Sequence, residues 1–272
     1  MTPRVTVVIP IHDQAFLLPA CLRTVLAQEM REIEVLVVGD GCTDDSESAA
    51  LAAGDRRLRW LGLPKAPGYG YANRARAIAE ARGEWIAYLA PDDLWARDHL
   101  GGLLAALEAA RCDMAFARPV IAGAAGTLSP HYLPFDVLAS GPRPPIGARL
   151  AFVSPSQIVQ RRELVERAGN WDGRRLEHGD IDLWRRCRRA GGRLLYVPRP
   201  SVVRFPSYAF RASGRDRLAT LHASVAEQLV SGQLDLAGLR WPWPHRAFGW
   251  LRDAAVVSVA RGPGFVRSLL KR

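Results

Sequence analysis

The residues in this chain best able to do chemistry are aspartates that follow apolar runs. Asp40, with Asp44 and Asp45 behind it, follows Glu34-Val35-Leu36-Val37-Val38, and the adjacent pair Asp92-Asp93 follows Trp85-Ile86-Ala87-Tyr88-Leu89. An acid just past a buried strand, with glycine after it, reaches over the rim of a sheet. There a nucleobase imide or a ribose hydroxyl is a suitable donor to Asp40. The competing assignment is a turn with an N-cap, which accounts fully for Asp44 and less well for Asp40. Neighbouring carboxylates repel and raise each other's pKa unless a cation or donor compensates. Asp92-Asp93 therefore suits magnesium or manganese, and through it phosphate oxygens. An acidic helix start is the alternative for that pair. A third cluster, Glu177-His178-Gly179-Asp180-Ile181-Asp182, opens a helix. A carboxylate at Asp180 is placed to accept a proton from a sugar hydroxyl, with a plain helix cap as the alternative. Asp182 stands at helical spacing from Arg185 and Arg186 and reads as structural. Pro10-Ile11-His12-Asp13 closes the first strand, with Pro10 ending its ladder. Capping or packing is favoured over base stacking for His12, and Asp13 is expected to be an N-cap.

Holding these groups in place takes alternating strands and helices. Strands are expected at residues 4–11, 33–38, 58–61, 85–89 and 114–120. Helices are expected around Leu18 to Leu26, from Gly70 to Arg82 with Ala72, Ala75, Ile78 and Ala79 inward, and from Asp98 to Ala110. The alternation implies right-handed crossovers and a mostly parallel α/β sheet flanked by helices. The rhythm breaks after Gly123, and Ser129 to Pro145, with five prolines, is expected to be a loop. Short strands at 158–160, 194–197 and 202–205 and helices at 162–168 and 180–190 follow. The remainder is helical in pattern. The expected division is a ligand-binding part at 1–122, a second part of the same domain at 123–210 and a C-terminal helical extension at 211–272.

The chain has 272 residues, about half of them apolar, which is enough for a full core. No apolar run is long enough to cross a bilayer, and Met1-Thr2-Pro3-Arg4 leads directly into a strand, so no secretory leader is expected. Cys21, Cys42, Cys112 and Cys187 are scattered, which fits a reducing cytoplasm without disulfides or structural zinc. The net charge of +10 does not argue for nucleic acid. All the basic residues but Lys65 and Lys271 are arginine, a skew of composition, and no known reading element organises them. The C-terminal stretch carries Arg240, Arg246, Arg252, Arg261, Arg267, Lys271 and Arg272 among tryptophans and phenylalanines. It suits either an anionic membrane surface or a helix packed over the sheet.

Taken in order, these motifs resemble the family 2 glycosyltransferases of the GT-A (Rossmann-like) fold. The matching segments are VTVVIPIHDQAFLLPACLRTVLAQ (Val5 to Gln28), VVGDGCTD (Val37 to Asp44), Gly83-Glu84-Trp85-Ile86 leading to Leu89-Ala90-Pro91-Asp92-Asp93, Gly169-Asn170-Trp171-Asp172, Gly179-Asp180 to Arg185, and Gly192 to Pro198. Ordered motifs over roughly residues 4 to 205 are far more specific than any one alone. The resemblance implies a metal-dependent inverting enzyme of the hexosyltransferase type. It would move a sugar from a nucleotide diphospho-sugar, a UDP-sugar first, to a hydroxyl on a glycan, glycolipid or small molecule. It implies Asp40 at the nucleobase beside Pro10 and His12, Asp92 at the ribose, Asp93 on Mg2+ or Mn2+, Arg74 holding the nucleotide, and Asp180 as general base. Cytoplasmic placement, with membrane contact through the basic C-terminus, goes with it. The chain departs from the family pattern at Gly39 and Ala90, where acids are usual, and at Ala75, where asparagine often stands. It also lacks a histidine near Arg204-Phe205-Pro206-Ser207-Tyr208. A nucleotidyltransferase or a dinucleotide-dependent dehydrogenase would carry a glycine-rich loop after the first strand, and Pro10-Ile11-His12-Asp13-Gln14 has no glycine. A catalytically impaired sugar-nucleotide binder acting as a scaffold is the remaining alternative.

Overall fold

Val5, Val7, Val8 and Ile9 are completely buried, so the first strand is apolar on both faces, as a central strand of a parallel sheet must be. The computed structural model describes residues 2–123, 126–130, 153–206 and 214–239. Its elements are β1 (Val5–Ile11), α1 (Leu18–Leu26), β2 (Ile33–Asp40), α2 (Ser46–Leu51), β3 (Leu58–Leu63), α3 (Tyr71–Ala79), β4 (Trp85–Tyr88), β5 (Asp93–Trp95), α4 (His99–Ala110), β6 (Met114–Ala122) and β7 (Leu128–Pro130). A short 3-10 turn at Pro155–Gln157, β8 (Ile158–Arg161), α5 (Arg162–Arg167), α6 (Gly179–Arg189), β9 (Leu194–Arg204) and α7 (Arg215–Ser231) complete the described set.

The strands join in the order β3-β2-β1-β4-β8-β6-β9-β5, with β7 paired to β6. The first four are parallel. Beyond β4 the expectation of a mostly parallel sheet is corrected to a mixed one. β8 runs antiparallel between β4 and β6, and β5 runs antiparallel to β9. The second half of the chain thus threads its strands into the sheet begun by the first. Helices cover both faces. Leu18, Leu22 and Val25 of α1 and Leu100, Leu103 and Leu107 of α4 pack on one side. Ala77 and Ile78 of α3, Leu164 of α5 and Leu183 and Trp184 of α6 pack on the other. A smaller cluster joins α7 to the β5 and β9 end.

Other expectations need correction. β9 is one strand, not two. Its pairing with β6 is irregular around Arg118, which accommodates Pro198 and Pro200. β5, at three residues, is too short to leave a periodic signal. Ser129 and Pro130 belong to β7 rather than to a loop, while the rest of the proline-rich stretch lies outside the described residues. On α3 the inward residues are Tyr71, Asn73, Ala77 and Ile78, and Ala79 is exposed. An alanine-rich helix carries too little contrast to fix its own phase. No helix among the described residues is long and apolar enough to cross a membrane, and the basic segment from Arg240 onward lies outside them.

Candidate active site

The site opens where β1 parts from β4. The β1–β2 ladder continues to Ile11 opposite Gly39, but the β1–β4 ladder stops at Val8 opposite Tyr88. Its last bond runs from Leu89 N–H to Val8 O at 3.1 Å. Alternate residues of a parallel strand turn to the same neighbour, so Pro10 faces the β4 side, where it has no N–H to give. Pro10 therefore ends one ladder and leaves the other intact. The chain also switches direction across the sheet here, the place where open α/β sheets bind ligands. Asp40 stands at the end of β2, and Asp92 and Asp93 follow β4.

Asp40 is nearly sealed, at 5 % exposure. Its Oδ2 accepts from Lys65 Nζ at 2.6 Å, and its Oδ1 from Asn73 Nδ2 at 2.6 Å and Ala66 N–H at 2.8 Å. Asn73 also donates to Pro64 O at 2.8 Å. One carboxylate thus ties the end of β2 to the β3–α3 connection and to α3. Gly70 precedes α3 with φ +72°, and a Cβ there would meet Asp40 Oδ2 at 2.8 Å, so the approach requires glycine. Lys65 and Asn73 were not singled out from the sequence. The signal available was a polar residue among the alanines of α3. Gly39, where an acid was expected from the resemblance, has a physical cause. A Cβ there would lie 2.6 Å from Trp60 Cη2 of β3.

Arg74 lies between the two halves of the site. Its Cζ is 5.1 Å from the Tyr71 ring and 5.0 Å from the Trp171 ring. Those two rings stack at 5.5 Å and 4°. Burial lowers the Arg74 pKa, and the nearby phenols of Tyr71 and Tyr88 and the charges of Asp180 and Asp40 oppose that shift. Arg74 Nε is buried with no hydrogen-bond partner among the described residues. Behind the stack, Tyr88 Oη accepts from Trp171 Nε1 at 3.2 Å and Gln160 Nε2 at 2.9 Å. Asp180 sits half-buried in the first turn of α6, where an acid is favoured. Its Oδ1 accepts from Ile181 N–H at 2.9 Å. Asp182 is structural as expected, bound to Arg186 at 2.8 Å and also to Arg175 at 2.7 Å.

Asp93, at 3 % exposure, lies within β5. Its Oδ1 accepts from Phe205 N–H at 3.2 Å, the Ser156 hydroxyl bonds it, and Arg204 Nε stands 3.7 Å from Oδ2. Asp92 is half-buried and the more open of the two. Burial, then the charge of Asp93, pushes Asp92 up to about 7. Burial raises Asp93 as well, and it raises the Cys21 thiol beneath them, with both acids adding. A buried and a half-buried carboxylate facing one arginine are under-neutralised, and their hard oxygens suit a divalent cation. Ala90 N–H donates to Ser156 Oγ at 3.1 Å.

Asp13, Cys42 and Asp44 also bring ligand atoms within 4.8 Å of one another. The carboxylates there already hold the loops together. Asp13 accepts from Thr43 N–H at 2.7 Å, Thr43 Oγ1 at 3.1 Å and Asp44 N–H at 3.3 Å, and Asp44 accepts from Ala15 N–H at 2.9 Å and Ser46 N–H at 3.1 Å. Asp13 is therefore a clamp between loops and not an N-cap, since α1 begins at Leu18. Among the described residues His12 caps no helix. Its side chain is 47 % exposed, with Nε2 4.0 Å from Asp13 Oδ2.

The family model described as Glycosyl transferase family 2 matches residues 6–169. Succinoglycan biosynthesis protein ExoO of Rhizobium meliloti (strain 1021) is 34% identical over 113 residues, covering 42% of this chain and 32% of that protein. The match thus spans about a third of that relative's length. Among solved structures, S. aureus TarS 1-349 in complex with UDP-GlcNAc is similar at TM-score 0.64 and 16% identity over 86% of this chain and 72% of that one. Mannosyltransferase PcManGT from Pyrobaculum calidifontis, in complex with GDP-Man and Mn2+, is similar at TM-score 0.58 and 19% identity over 95% and 81%. At such identities these likenesses show the fold, which is GT-A.

Proposed function

This chain belongs to glycosyl transferase family 2, and from that premise we propose that it transfers a sugar from a nucleotide diphospho-sugar to an acceptor hydroxyl with inversion. The observation that carries the reading is that α3 bridges the two acids: Asn73 bonds Asp40, and the Tyr71 ring packs on Gly179, next to Asp180, with the half-buried Arg74 on the same helix. Pro10 and His12, at and just past the end of β1, are assigned to the same donor side. A UDP-sugar is the first donor to test, supported by the UDP-GlcNAc bound to the similar TarS fold.

In this reading Asp180 takes the proton of the acceptor hydroxyl as its oxygen attacks the anomeric carbon. The nucleoside diphosphate leaves from the opposite face. Arg74 meets negative charge on the donor, where a desolvated guanidinium is most effective. The Asp92-Asp93 pair fits Mg2+ or Mn2+. Asp93 would hold the ion, and Asp92, the more open carboxylate, would meet the ribose. When bound, such an ion supplies positive charge to the departing diphosphate. Glycan, glycolipid and small-molecule acceptors, and membrane contact through the C-terminus, belong to the same proposal. The test is Asp180→Asn. It should retain calorimetric binding of the donor and lose transfer by about a hundred- to ten-thousand-fold, the usual contribution of a general base. Near-normal turnover in that variant would overturn the assignment.

A further inference from the structure

Arg204 is the last residue of β9, and the antiparallel register sets it directly opposite Asp93 of β5. Directly opposed residues of such a pair put their side chains on the same face of the sheet. β6 holds Arg204 from the other side, where it pairs with Ile121. Strand register on both sides therefore fixes the backbone from which the guanidinium reaches the acidic pair. Its Nε lies 3.7 Å from Asp93 Oδ2, beyond hydrogen-bond range, and is sealed from solvent with no hydrogen-bond partner among the described residues. The Arg204 side chain is 31 % exposed, that of Asp93 only 4 %. Among the described residues, Arg204 is the one cation that forms an ion pair with either Asp92 or Asp93. At this distance it lends charge to the pair without closing the two-pronged hydrogen bond that arginine commonly makes with a carboxylate.

We propose that Arg204 is the built-in counter-charge of the Asp92-Asp93 pair, and that it weakens the hold on a lone divalent cation while favouring the donor's diphosphate. This rests on Asp93 being the residue that holds the ion. Two ionised carboxylates by themselves match the charge of a divalent cation and would bind it without help from substrate. With Arg204 beside them, the ion leaves the cluster one positive charge in surplus. A diphosphate removes that surplus, so the ion is held firmly only when the donor is present. The like charges of Arg204 and the ion stand at a site where one carboxylate is nearly sealed, and water screens them little there. Arg204 is thus a positioning residue: it acts through the field at Asp93 and takes no proton in the reaction.

The test titrates the whole chain with two probes at about pH 8.5, where protons compete least with the ion. Mn2+ alone is followed by the loss of its free EPR signal, and UDP with EDTA by calorimetry. Arg204→Gln removes the charge and keeps a polar side chain. It should bind Mn2+ about tenfold more tightly and metal-free UDP about tenfold more weakly, opposite shifts from a single substitution. Arg204→Lys keeps the charge and should stay within about threefold of the native protein for both probes. If Arg204 served only to tie β9 to β5, Arg204→Gln would weaken both probes together and lower Tm, and that result overturns the proposal. An unchanged Mn2+ affinity in Arg204→Gln overturns it as well. Asp93→Ala tells failure of this role apart from failure of the ion's assignment. If it abolishes Mn2+ binding while Arg204→Gln shifts nothing, only the role of Arg204 fails. If Asp93→Ala binds Mn2+ as the native protein does, the ion is not on Asp93, and the proposal falls with that assignment.

Discussion

Asn73→Ala measures how much the donor side of the site depends on a side chain outside the family motifs. The substitution deletes two hydrogen bonds, a buried one of 2.6 Å to Asp40 Oδ1 and a part-buried one of 2.8 Å to Pro64 O. The first ends on a charged acceptor, for which about 1.5–3 kcal/mol is typical, and the second is an ordinary bond of about 1 kcal/mol. Alanine leaves helix propensity intact or improves it by a few tenths. The net loss should be about 2–4 kcal/mol, or roughly 5–12 °C in Tm for a chain of this size. Urea unfolding followed by tryptophan fluorescence gives the number. A cycle with Asp40→Asn should return a coupling of about 1–3 kcal/mol, because the two residues share one bond. Donor affinity should fall with it, since Asp40 would then be held by Lys65 and Ala66 alone. A stability loss below about 0.5 kcal/mol would refute the claim that Asn73 fixes this carboxylate.

Gly39→Asp, which restores the acid usual in the family, should destabilise by at least about 2 kcal/mol, because its Cβ enters the Trp60 ring and its charge is buried beside Asp40. Part of that loss should return with Trp60→Ala in urea titrations, and full additivity would count against the clash. Asp93→Ala should abolish the Mn2+ dependence of UDP-sugar binding in calorimetry, whereas Asp92→Ala should weaken binding with and without Mn2+; the reverse pattern would move the cation to Asp92. His222 is fully buried against Phe205, and burial holds its pKa down at about 3. The unfolded chain takes up that proton near pH 6.5, so the stability owed to the neutral ring is complete above this pH and drains away as pH falls toward 3, by about 1.4 kcal/mol per unit. His222→Leu removes the slope, and between pH 7 and pH 5 it should gain about 2 kcal/mol on the native protein; parallel stability curves would show that His222 is not desolvated.

Much of the architecture was legible because the central strands are buried on both faces. Val7 to Ile9, Val35 to Val38 and Trp85 to Leu89 read as continuous apolar runs, and an acid after such a run has to stand at a sheet rim. What escaped was information held between elements. β5 is set by its pairing with β9, and β9 was split by prolines that a bulged register absorbs. Asp93 was visible as an acid at the rim, but the backbone N–H of Phe205 that meets its Oδ1 comes from the end of β9, far away in sequence. The partners of Asp40 are scattered over a loop and a helix whose alanines hide their orientation. Gly39 was visible as a departure, yet its cause, the Trp60 ring, lies on the neighbouring strand.

Lys65 bears on how this protein can be handled. It is one of only two lysines in the sequence, the other being Lys271 near the C-terminus, and its ammonium rests on Asp40 with the side chain 42 % exposed. Within this sequence, acylating reagents, amine-coupled sensor chips and lysine-directed dyes will therefore react at Lys65, on Asp40, or at Lys271. Attachment through a terminal tag spares Lys65, whereas thiol coupling also meets the free, partly exposed Cys42 and Cys112, and protection of Lys65 from acetylation would report occupancy beside Asp40.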